Sequence, residues 1–285
     1  MIDLHTHSTF SDGSLSPAEL ADLAMKEGLV AVALTDHDTT DGVPAFLVAC
    51  AERKITGISG VEISVDFNPG TMHMLGYLVD PKSGPLGDAL GRMRGGRDDR
   101  NSQILGKLNR LGLEITMEDV RKFASEDVVG RPHFAQALME KGYVGTSKDA
   151  FDMYLGKGKP AYVDRFRLTP EVGIESIKQA GGVPVLGHPA TLGLKDKELR
   201  EFVGTMAAAG LQGIEVFYAE HSPAQIAFYS SMAKEFKLIL TGGSDFHGKL
   251  SPDIKLGCGF GSLRVQDDLL GPLFAAAGRS LPGRP

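Results

Sequence analysis

Six of the eight histidines in the sequence lie at sites rich in acidic residues or histidines, spread from the N-terminus to the last quarter of the chain. The clusters are His5-Thr6-His7 with Asp12, Asp36-His37-Asp38, Glu62, His73, Gly187-His188-Pro189 and Asp245-Phe246-His247. Imidazole and carboxylate groups are ordinary ligands of manganese, iron and zinc, and neither cysteine lies in a cluster. A set of this size predicts more than one metal ion and an enzymatic role.

Two clusters place ligand-type side chains two positions apart, as His5 and His7 and as Asp245 and His247. In an extended segment, such residues point to the same side of the chain, so both can reach one ion. Asp12 lies five residues after His7, in the turn at 11–14, and would curl back toward a neighbouring ion. One such pair alone is weak evidence for a metal site, because this spacing often arises by chance in strands. Several matched clusters are not explained by chance.

Short β-branched runs alternate with helical stretches, which is typical of βα units around a parallel sheet or barrel. The predicted strands are 2–5, 30–35, 55–67, 72–79, 183–186, 213–217, 238–241 and a last one near 257–265. The predicted helices between and after them are 17–27, 43–53, 198–209, 223–236 and 269–277. Ser16 is a suitable N-cap for the first of these helices, and Pro17 suits its first position.

The segment 81–162 interrupts this alternation. It contains no convincing strand and carries apolar residues at helical spacing, such as Ile104, Leu108 and Leu111. The sequence therefore predicts an α/β barrel domain formed by 1–80 and 163–285, with a helical insertion, or cap domain, at 81–162.

The acidic and histidine clusters follow the predicted strands. Residues just beyond the carboxyl ends of barrel strands converge on one rim, so we expect the clusters to meet there. His73 begins a strand instead, but a hairpin through Asn68-Pro69-Gly70 would return it to the same rim. Of the neighbouring residues, Asp38 is expected to cap the helix that follows, and His221, without a motif around it, is expected at the surface.

These motifs together resemble those of the polymerase and histidinol phosphatase (PHP) family of metal-dependent phosphoesterases. The matching segments are His5-Thr6-His7-Ser8, Ser11-Asp12-Gly13, Thr35-Asp36-His37-Asp38, Gly60-Val61-Glu62, His73-Met74-Leu75-Gly76-Tyr77, Gly187-His188-Pro189 and Ser244-Asp245-Phe246-His247. The resemblance covers almost the whole chain outside the insertion. It implies a distorted (β/α)7 barrel related to the TIM barrel, and two or three divalent ions, with manganese favoured and zinc or iron as alternatives.

The resemblance also implies how nine ligand residues divide among the ions. The first ion would be held by His5, His7, Glu62 and Asp245, the second by Asp12, His37 and His247, and the third by His73, His188 and a share of Glu62. A carboxylate has two oxygens and can bridge neighbouring ions, which suits Glu62 and Asp245.

Charge then indicates a mechanism. Three site carboxylates face two or three divalent ions, so the pocket is net positive and attracts phosphate. A bound ion lowers the pKa of water from about 15.7 toward roughly 7. Our hypothesis is in-line attack by metal-bound hydroxide on a phosphate monoester. Glu62 and Asp245 would be catalytic residues through the ions they share, and protonated His188 or a further ion would help the leaving oxygen depart.

The predicted insertion carries candidates for substrate binding. Gly130-Arg131-Pro132-His133 opens a helix, and Lys159, Tyr162 and Arg167 lie at or just after its end. These segments resemble the PHP branch that contains 3',5'-nucleoside bisphosphate phosphatases and 5'-to-3' exoribonucleases. The resemblance implies that Arg131 and His133 contact a second phosphate or a ribose, with Lys159, Tyr162 and Arg167 as weaker candidates. A surface ion pair for Arg131 is the alternative.

Three other functions compete with a nucleotide phosphoesterase. A histidinol-phosphate or other small-molecule phosphatase would use a pocket without a helical cap. A non-catalytic metal-binding PHP module usually lacks ligands and belongs to a longer polymerase chain. An amidohydrolase acting on C–N bonds would need a bridging lysine, which has no obvious counterpart here. The expected partner is a small phosphorylated substrate or a short 5'-phosphorylated RNA or DNA, without an obligatory protein partner.

Bulk properties narrow the class of protein. The net charge of -6 argues against a general nucleic-acid coat protein, whose surface would be broadly basic. The two cysteines are too few for a disulfide framework. Met1 is followed directly by Ile2-Asp3-Leu4, without a basic and apolar leader, and apolar runs such as 29–34 are far too short to span a membrane. The sequence therefore predicts a soluble, cytoplasmic protein without membrane association.

Overall fold

The computed structural model describes residues 1–124, 129–164 and 166–283. Seven strands form one sheet in the sequential order β1 to β7. The strands are β1 (Ile2–Asp3), β2 (Ala31–Leu34), β3 (Thr56–Val65), β4 (Met72–Tyr77), β5 (Val183–Leu186), β6 (Gly213–Tyr218) and β7 (Ile239–Gly243). The predicted α/β barrel class is thereby confirmed.

Strand β4 is the one that runs against its neighbours. It pairs antiparallel with both β3 and β5, whereas the remaining pairs of the sheet are parallel. The β3–β4 hairpin turns through Asn68-Pro69-Gly70, and its register sets His73 opposite Ser64 near the end of β3. The hairpin therefore returns His73 to the end of the sheet where β3 finishes, as its sequence predicts.

The helices alternate with the strands on both sides of a long helical segment. Their bounds are α1 (Pro17–Lys26), α2 (Val43–Glu52), α3 (Gly84–Arg110), α4 (Met117–Arg121), α5 (Arg131–Glu140), α6 (Ser147–Ala150), α7 (Pro170–Gln179), α8 (Asp196–Ala208), α9 (Pro223–Phe236) and α10 (Leu270–Ala276). Helix α1 begins as predicted, because the Ser16 hydroxyl accepts the Glu19 N–H while the Glu19 side chain accepts the Ser16 N–H.

The predicted last strand near 257–265 is wrong. This segment forms turns, with a single antiparallel bridge between Lys255 and Gly259. The reason lies in its glycines, since Gly257, Gly259 and Gly261 adopt φ values of 77°, 55° and 107°. Such left-handed conformations reverse the chain direction and cannot continue a pleated strand.

Every second residue of the strands points into the interior of the barrel. Ala31 and Ala33 of β2, Leu75 and Tyr77 of β4, and their equivalents in the other strands belong to one buried cluster that α10 closes with Leu273 and Phe274. The intervening residues of β2 face outward and pack with α1 and α2. This period of two gives His73 the same parity as Leu75 and Tyr77, so its imidazole lies on the inward side.

The first and last strands meet through backbone and carboxylate hydrogen bonds. Leu4 N–H donates to the Gly242 carbonyl at 3.2 Å. The fully buried carboxylate of Asp3 accepts the backbone N–H groups of His5, Ser244 and Gly257 at 3.2, 2.9 and 2.7 Å. Asp3 therefore ties β1 to the chain after β7 directly beneath the ligand-type residues of both segments.

The chain divides into two compact units, one formed by 1–90 and 168–285 and one by 91–167. Over 91–124 and 129–164, the second unit consists of helices and turns without a strand. Its own buried core is formed by residues that include Ile104, Leu108, Phe134, Leu138 and Leu155. The assignment of 81–162 as an inserted domain stays a prediction. No helix in the described parts of the chain has both the length and the apolar character needed to cross a bilayer.

Gly243 offers a test of how closely β1 and β7 approach. A Cβ atom at this position would lie 2.3 Å from the His5 backbone nitrogen and 2.4 Å from the His5 Cβ. Gly243→Ala should therefore lower the free energy of unfolding by about 1–3 kcal/mol, because the backbones must separate. Thermal and denaturant unfolding would measure the loss.

The matched control is Gly271→Ala in α10, where an added Cβ meets no atom within 4 Å beyond its own helix. This control should leave stability unchanged or slightly raised. Equal stability of the two variants would contradict the close approach of β1 and β7.

Candidate metal centre

The ends of the strands bring the nine predicted ligand residues into one cluster, in which His5, His7, Glu62 and His188 are buried and the others are partly buried. Each residue lies within or just after a strand, except Asp12, which lies in the loop between β1 and α1. That loop is fixed by the buried carboxylate of Asp36, which accepts the Ser8 N–H at 2.7 Å and the Ser11 hydroxyl at 2.6 Å. The same carboxylate accepts the Ser8 hydroxyl at 2.6 Å. The short polar residues around Asp12 therefore hold its loop against β2.

Glu62 lies at the centre of the cluster and is only 1% exposed. Its two oxygens face different histidines. Oε1 lies 2.7 Å from His73 Nδ1 and 2.9 Å from His188 Nε2. Oε2 lies 2.9 Å from His37 Nδ1, 3.3 Å from His7 Nε2 and 3.4 Å from His5 Nε2. One carboxylate thus contacts five imidazoles from four separate segments of the chain.

Asp245 and Asp12 extend the cluster on the side of β1 and β7. Asp245 Oδ1 lies 3.0 Å from His7 Nε2 and 3.4 Å from His5 Nε2. Asp12 Oδ1 lies 3.3 Å from His247 Nε2, and its Oδ2 lies 3.7 Å from His37 Nε2. Asp245 itself has a φ of 59°, a conformation that a non-glycine residue rarely adopts and that functional sites often contain.

The donor atoms form three overlapping groups, each with all its atoms within 4.8 Å of one another. The groups are His5, His7, Glu62 and Asp245, then His7, Asp12, His37 and His247, and finally His37, Glu62 and His73. Imidazole nitrogens and carboxylate oxygens at such spacing suit zinc, manganese or iron.

The chemistry of the individual atoms fits bound cations. Within the described residues, six buried atoms of this cluster make no hydrogen bond, namely His5 Nε2, His7 Nε2, Asp12 Oδ1, His37 Nδ1, Glu62 Oε2 and Asp245 Oδ1. A buried polar atom without a hydrogen bond is costly unless another partner satisfies it. All six are lone-pair donors in the groups described above, so the cluster binds divalent metal ions.

Comparison with known proteins agrees with this arrangement. The family model of the PHP domain matches residues 3–158. The chain belongs to the PHP domain family. It is 34% identical over 247 residues to the 3',5'-nucleoside bisphosphate phosphatase of Chromobacterium violaceum, covering 86% of this chain and 87% of that protein. It is also 34% identical over 245 residues to a 5'-3' exoribonuclease of Haemophilus influenzae, covering 86% and 89%.

A solved structure supports the same relationship. A protein of Bifidobacterium adolescentis, described as a candidate metal-dependent phosphoesterase, superposes with a TM-score of 0.81 at 31% identity. The match covers 96% of both chains. The PHP resemblance predicted from the motifs is confirmed.

Electrostatics in the PHP cluster couples its carboxylates to its imidazoles. Burial lowers the pKa of His7, and the neighbouring His247 lowers it further, to about 4. Burial also acts to lower the pKa of His37, but the carboxylates of Glu62 and Asp12 outweigh this effect and raise it to about 10. Burial acts to raise the pKa of Glu62, yet the surrounding histidines hold it well below its usual range. Glu62 is therefore ionised and available as a ligand.

Strand β6 contributes two residues that sequence reasoning missed. Glu215, fully buried, contacts His5 Nδ1 at 2.9 Å through Oε1. The Tyr218 hydroxyl donates to Asp245 Oδ2 at 3.0 Å. A β-bulge between Glu215 and Phe217 shifts the register of β6, and bulges commonly redirect side chains near active sites. An acidic residue within an otherwise apolar strand is unusual, and this could have identified Glu215 from the sequence. The bulge has no recognisable signal in the sequence.

Two smaller predictions around the PHP site are wrong. Asp38 does not cap α2, because the N-cap of that helix is Gly42 and Asp38 accepts the Ser64 N–H at 2.9 Å instead. His221 is buried rather than at the surface. Its Nδ1 donates to the Val216 carbonyl at 2.9 Å, and its ring lies between Tyr218 and Tyr229.

The candidate substrate residues all lie in the second unit or at its end. Arg131 is half-buried, with its guanidinium 5.4 Å from the centre of the Tyr162 ring and an N–H to the Leu155 carbonyl at 3.3 Å. Arg167 forms an ion pair with Asp164 at 2.8 Å. Lys159 is exposed, and His133 Nδ1 accepts the Gly130 N–H at the start of α5. Their role in substrate binding stays a prediction.

Removing the central carboxylate should abolish most of the metal-induced stabilisation. A ligand that binds only the folded state stabilises it by about 2.7 kcal/mol at 100 times its dissociation constant. We expect manganese to raise the melting temperature of the metal-free parent protein, and Glu62→Gln to lose most of that rise, since the amide lacks the charge and one acceptor oxygen.

Glu201→Gln is the matched control, because Glu201 is exposed on α8 and the substitution removes the same charge. It should retain the full rise. Melting without metal would verify that both variants are folded, and a full rise in Glu62→Gln would contradict a central ligand role.

Proposed function

We propose that this PHP protein is a phosphoric-ester hydrolase that releases phosphate from nucleotide-like substrates, namely 3',5'-nucleoside bisphosphates or 5'-phosphorylated oligonucleotides. The observation that carries the proposal is the set of three adjacent donor groups, in which Glu62, His7 and His37 each belong to two groups. A cluster of adjacent cation sites suits phosphate esters, because several ions can neutralise phosphate oxygens together. The relatives named as a bisphosphate phosphatase and an exoribonuclease support the substrate class.

Two or three divalent ions are part of this proposal, with manganese first and zinc or iron as alternatives. The ligands would be the nine residues of the cluster, divided as the family resemblance implies. Bound there, the ions would supply Lewis-acid neutralisation of phosphate and a water of lowered pKa. Three carboxylates, Asp12, Glu62 and Asp245, leave such a site net positive and therefore attractive to an anion.

The residues of the chain perform the remaining steps of the proposed reaction. Glu62 and Asp245 position the reacting groups through the ions they would share. His188 is buried, with Nε2 at 2.9 Å from Glu62 Oε1 and Nδ1 at 3.0 Å from the Thr191 hydroxyl. Burial acts to lower the pKa of His188, but the Glu62 carboxylate outweighs it and raises the pKa. With two ions bound, His188 would not be a ligand, and its protonated imidazole would assist departure of the leaving oxygen; with three ions, the third ion would take that role.

Substrate selection belongs to Arg131 and His133, with Lys159, Tyr162 and Arg167 as further contacts. The Arg131 guanidinium has a planar fork of donors suited to phosphate. Among the residues that the structure describes, the hydrogen bond to the Leu155 carbonyl engages one of its five N–H groups. The remaining N–H groups of Arg131 can bind a second phosphate or a ribose. Such a contact would favour the proposed substrates over simple monophosphates, which lack the second phosphate.

We also propose that the protein is cytoplasmic. Both cysteines are free, Cys50 buried and Cys258 half-buried. Free thiols suit a reducing compartment.

A phosphate-release panel with manganese tests the proposed activity. We expect the highest kcat/KM on 3',5'-nucleoside bisphosphates or short 5'-phosphorylated RNA, and lower values on histidinol phosphate and simple sugar phosphates. Asp245→Asn should lower kcat/KM by more than about 100-fold, since even residues that only support metal ligands cost 10–100-fold. Preference for histidinol phosphate, or near-parent activity of Asp245→Asn, would count against the proposal.

Arg131→Met tests substrate selection separately from the chemistry. Loss of a charge-assisted hydrogen bond costs about 1.5–3 kcal/mol, which is about 10–150-fold. We therefore expect the ratio of kcat/KM for bisphosphate over monophosphate to fall by that factor, with monophosphate hydrolysis little changed. Arg121→Met, at an exposed position of α4, is the control and should keep the parent ratio. An unchanged ratio in a folded Arg131→Met protein would remove Arg131 from this role.

A further inference from the structure

Glu215 is a buried carboxylate whose two oxygens serve two different parts of the metal centre. Oε1 lies 2.9 Å from Nδ1 of His5, and Oε2 accepts the backbone N–H of His188 at 2.7 Å. Both Glu215 and His5 are fully buried. Glu215 belongs to none of the three donor groups, so it acts on the centre through His5 and His188 rather than as a ligand.

The first contact determines which nitrogen of His5 can bind a cation. A neutral imidazole carries its proton on one nitrogen and a lone pair on the other. Because the Glu215 carboxylate only accepts hydrogen bonds, it places the proton of His5 on Nδ1. The lone pair is then on Nε2, which faces Glu62 and Asp245 at 3.4 Å each.

The second contact holds the backbone from which the His188 imidazole extends. His188 has a φ of 20° and a ψ of 68°, outside the well-populated regions for an L-residue. A conformation of this kind persists only where its surroundings fix it. The Glu215 oxygen supplies one such contact at the His188 nitrogen, directly after the end of β5.

We propose that Glu215 is a positioning residue that sets the His5 tautomer for metal binding and fixes the His188 backbone. This inference rests on the proposed metal-dependent function, because it concerns the same ions. It adds a residue outside the predicted ligand set and assigns it a defined hydrogen-bonding task.

Glutamine at position 215 separates this role from simple packing. It keeps the size of glutamate but has one acceptor oxygen and a donor NH2 group. The His188 backbone N–H is always a donor, so the amide oxygen would turn toward it. The NH2 group would then face His5 Nδ1, which could accept only if His5 moved its proton to Nε2. That tautomer has no lone pair directed toward Glu62 and Asp245.

The test is a Zn²⁺ competition titration against a chromophoric chelator, with the parent protein, Glu215→Gln and Glu201→Gln. We expect Glu215→Gln to bind Zn²⁺ about 10–100-fold more weakly at one site, and Glu201→Gln to match the parent. Circular dichroism and melting of the metal-free proteins check the fold. A loss of metal-free stability with unchanged Zn²⁺ affinity would show a structural role only and overturn the inference.

A second measurement needs no folded Glu215 variant. In the Zn²⁺-loaded parent labelled with 15N-histidine, NMR should detect a proton bound to His5 Nδ1, assigned by its absence in His5→Gln. Absence of that proton from the parent spectrum would overturn the inference. A parent protein that binds neither Zn²⁺ nor Mn²⁺ would contradict the proposed function and the inference with it, whereas equal Zn²⁺ affinity of the parent and Glu215→Gln would contradict the inference alone.

Discussion

The structure depends on one electrostatic constraint, which is that ionised carboxylates and imidazoles lie together at the carboxyl ends of the parallel strands, with His73 brought there by the antiparallel β4. An isolated charge in a protein interior is unfavourable unless opposite charge or hydrogen bonds compensate it. In the part of the chain that the structure describes, several lone pairs of the cluster make no hydrogen bond, including those of Glu62 Oε2 and Asp245 Oδ1. Cations satisfy these oxygens and the nearby imidazole nitrogens at once, so metal binding and the local fold are coupled.

The buried carboxylates of the barrel unit therefore fall into two classes. Asp3 and Asp36 have their oxygens engaged by backbone N–H and hydroxyl groups, and they connect segments of the fold. Glu62 and Asp245 each keep an oxygen directed at imidazoles without a hydrogen bond among the described residues. Glu215 belongs to the first class by its hydrogen bonds, although its partners are the ring of His5 and the backbone N–H of His188, both ligand-type histidines. The hydrogen bonds made by each buried acid thus separate supporting carboxylates from candidate metal ligands, which residue type alone does not.

The sequence predicted the parts of the site that depend on local spacing and strand position. The pairs His5–His7 and Asp245–His247 lie just after β1 and β7. The alternation of side chains along an extended segment and the convergence of strand ends in a barrel are enough to predict where they meet. Glu215 was missed because its partners lie far from it in the chain, His188 by 27 positions and His5 by 210, and only the folded barrel brings them together. The predicted strand near 257–265 failed because glycine conformation overrode the apolar pattern.

The number of ions is limited by the histidines that border two donor groups. His37 directs Nδ1 at Glu62, 2.9 Å away, and Nε2 at Asp12, 3.7 Å away. A neutral imidazole has one lone pair, so it can serve only one ion at a time. If His37 joins Asp12, the group around Glu62 and His73 needs another nitrogen, and His188 Nε2 lies 3.3 Å from His73 Nδ1. With His37 beside Asp12, a third ion is compatible with this cluster if His188 joins His73 at Glu62 Oε1, the oxygen that both imidazoles face.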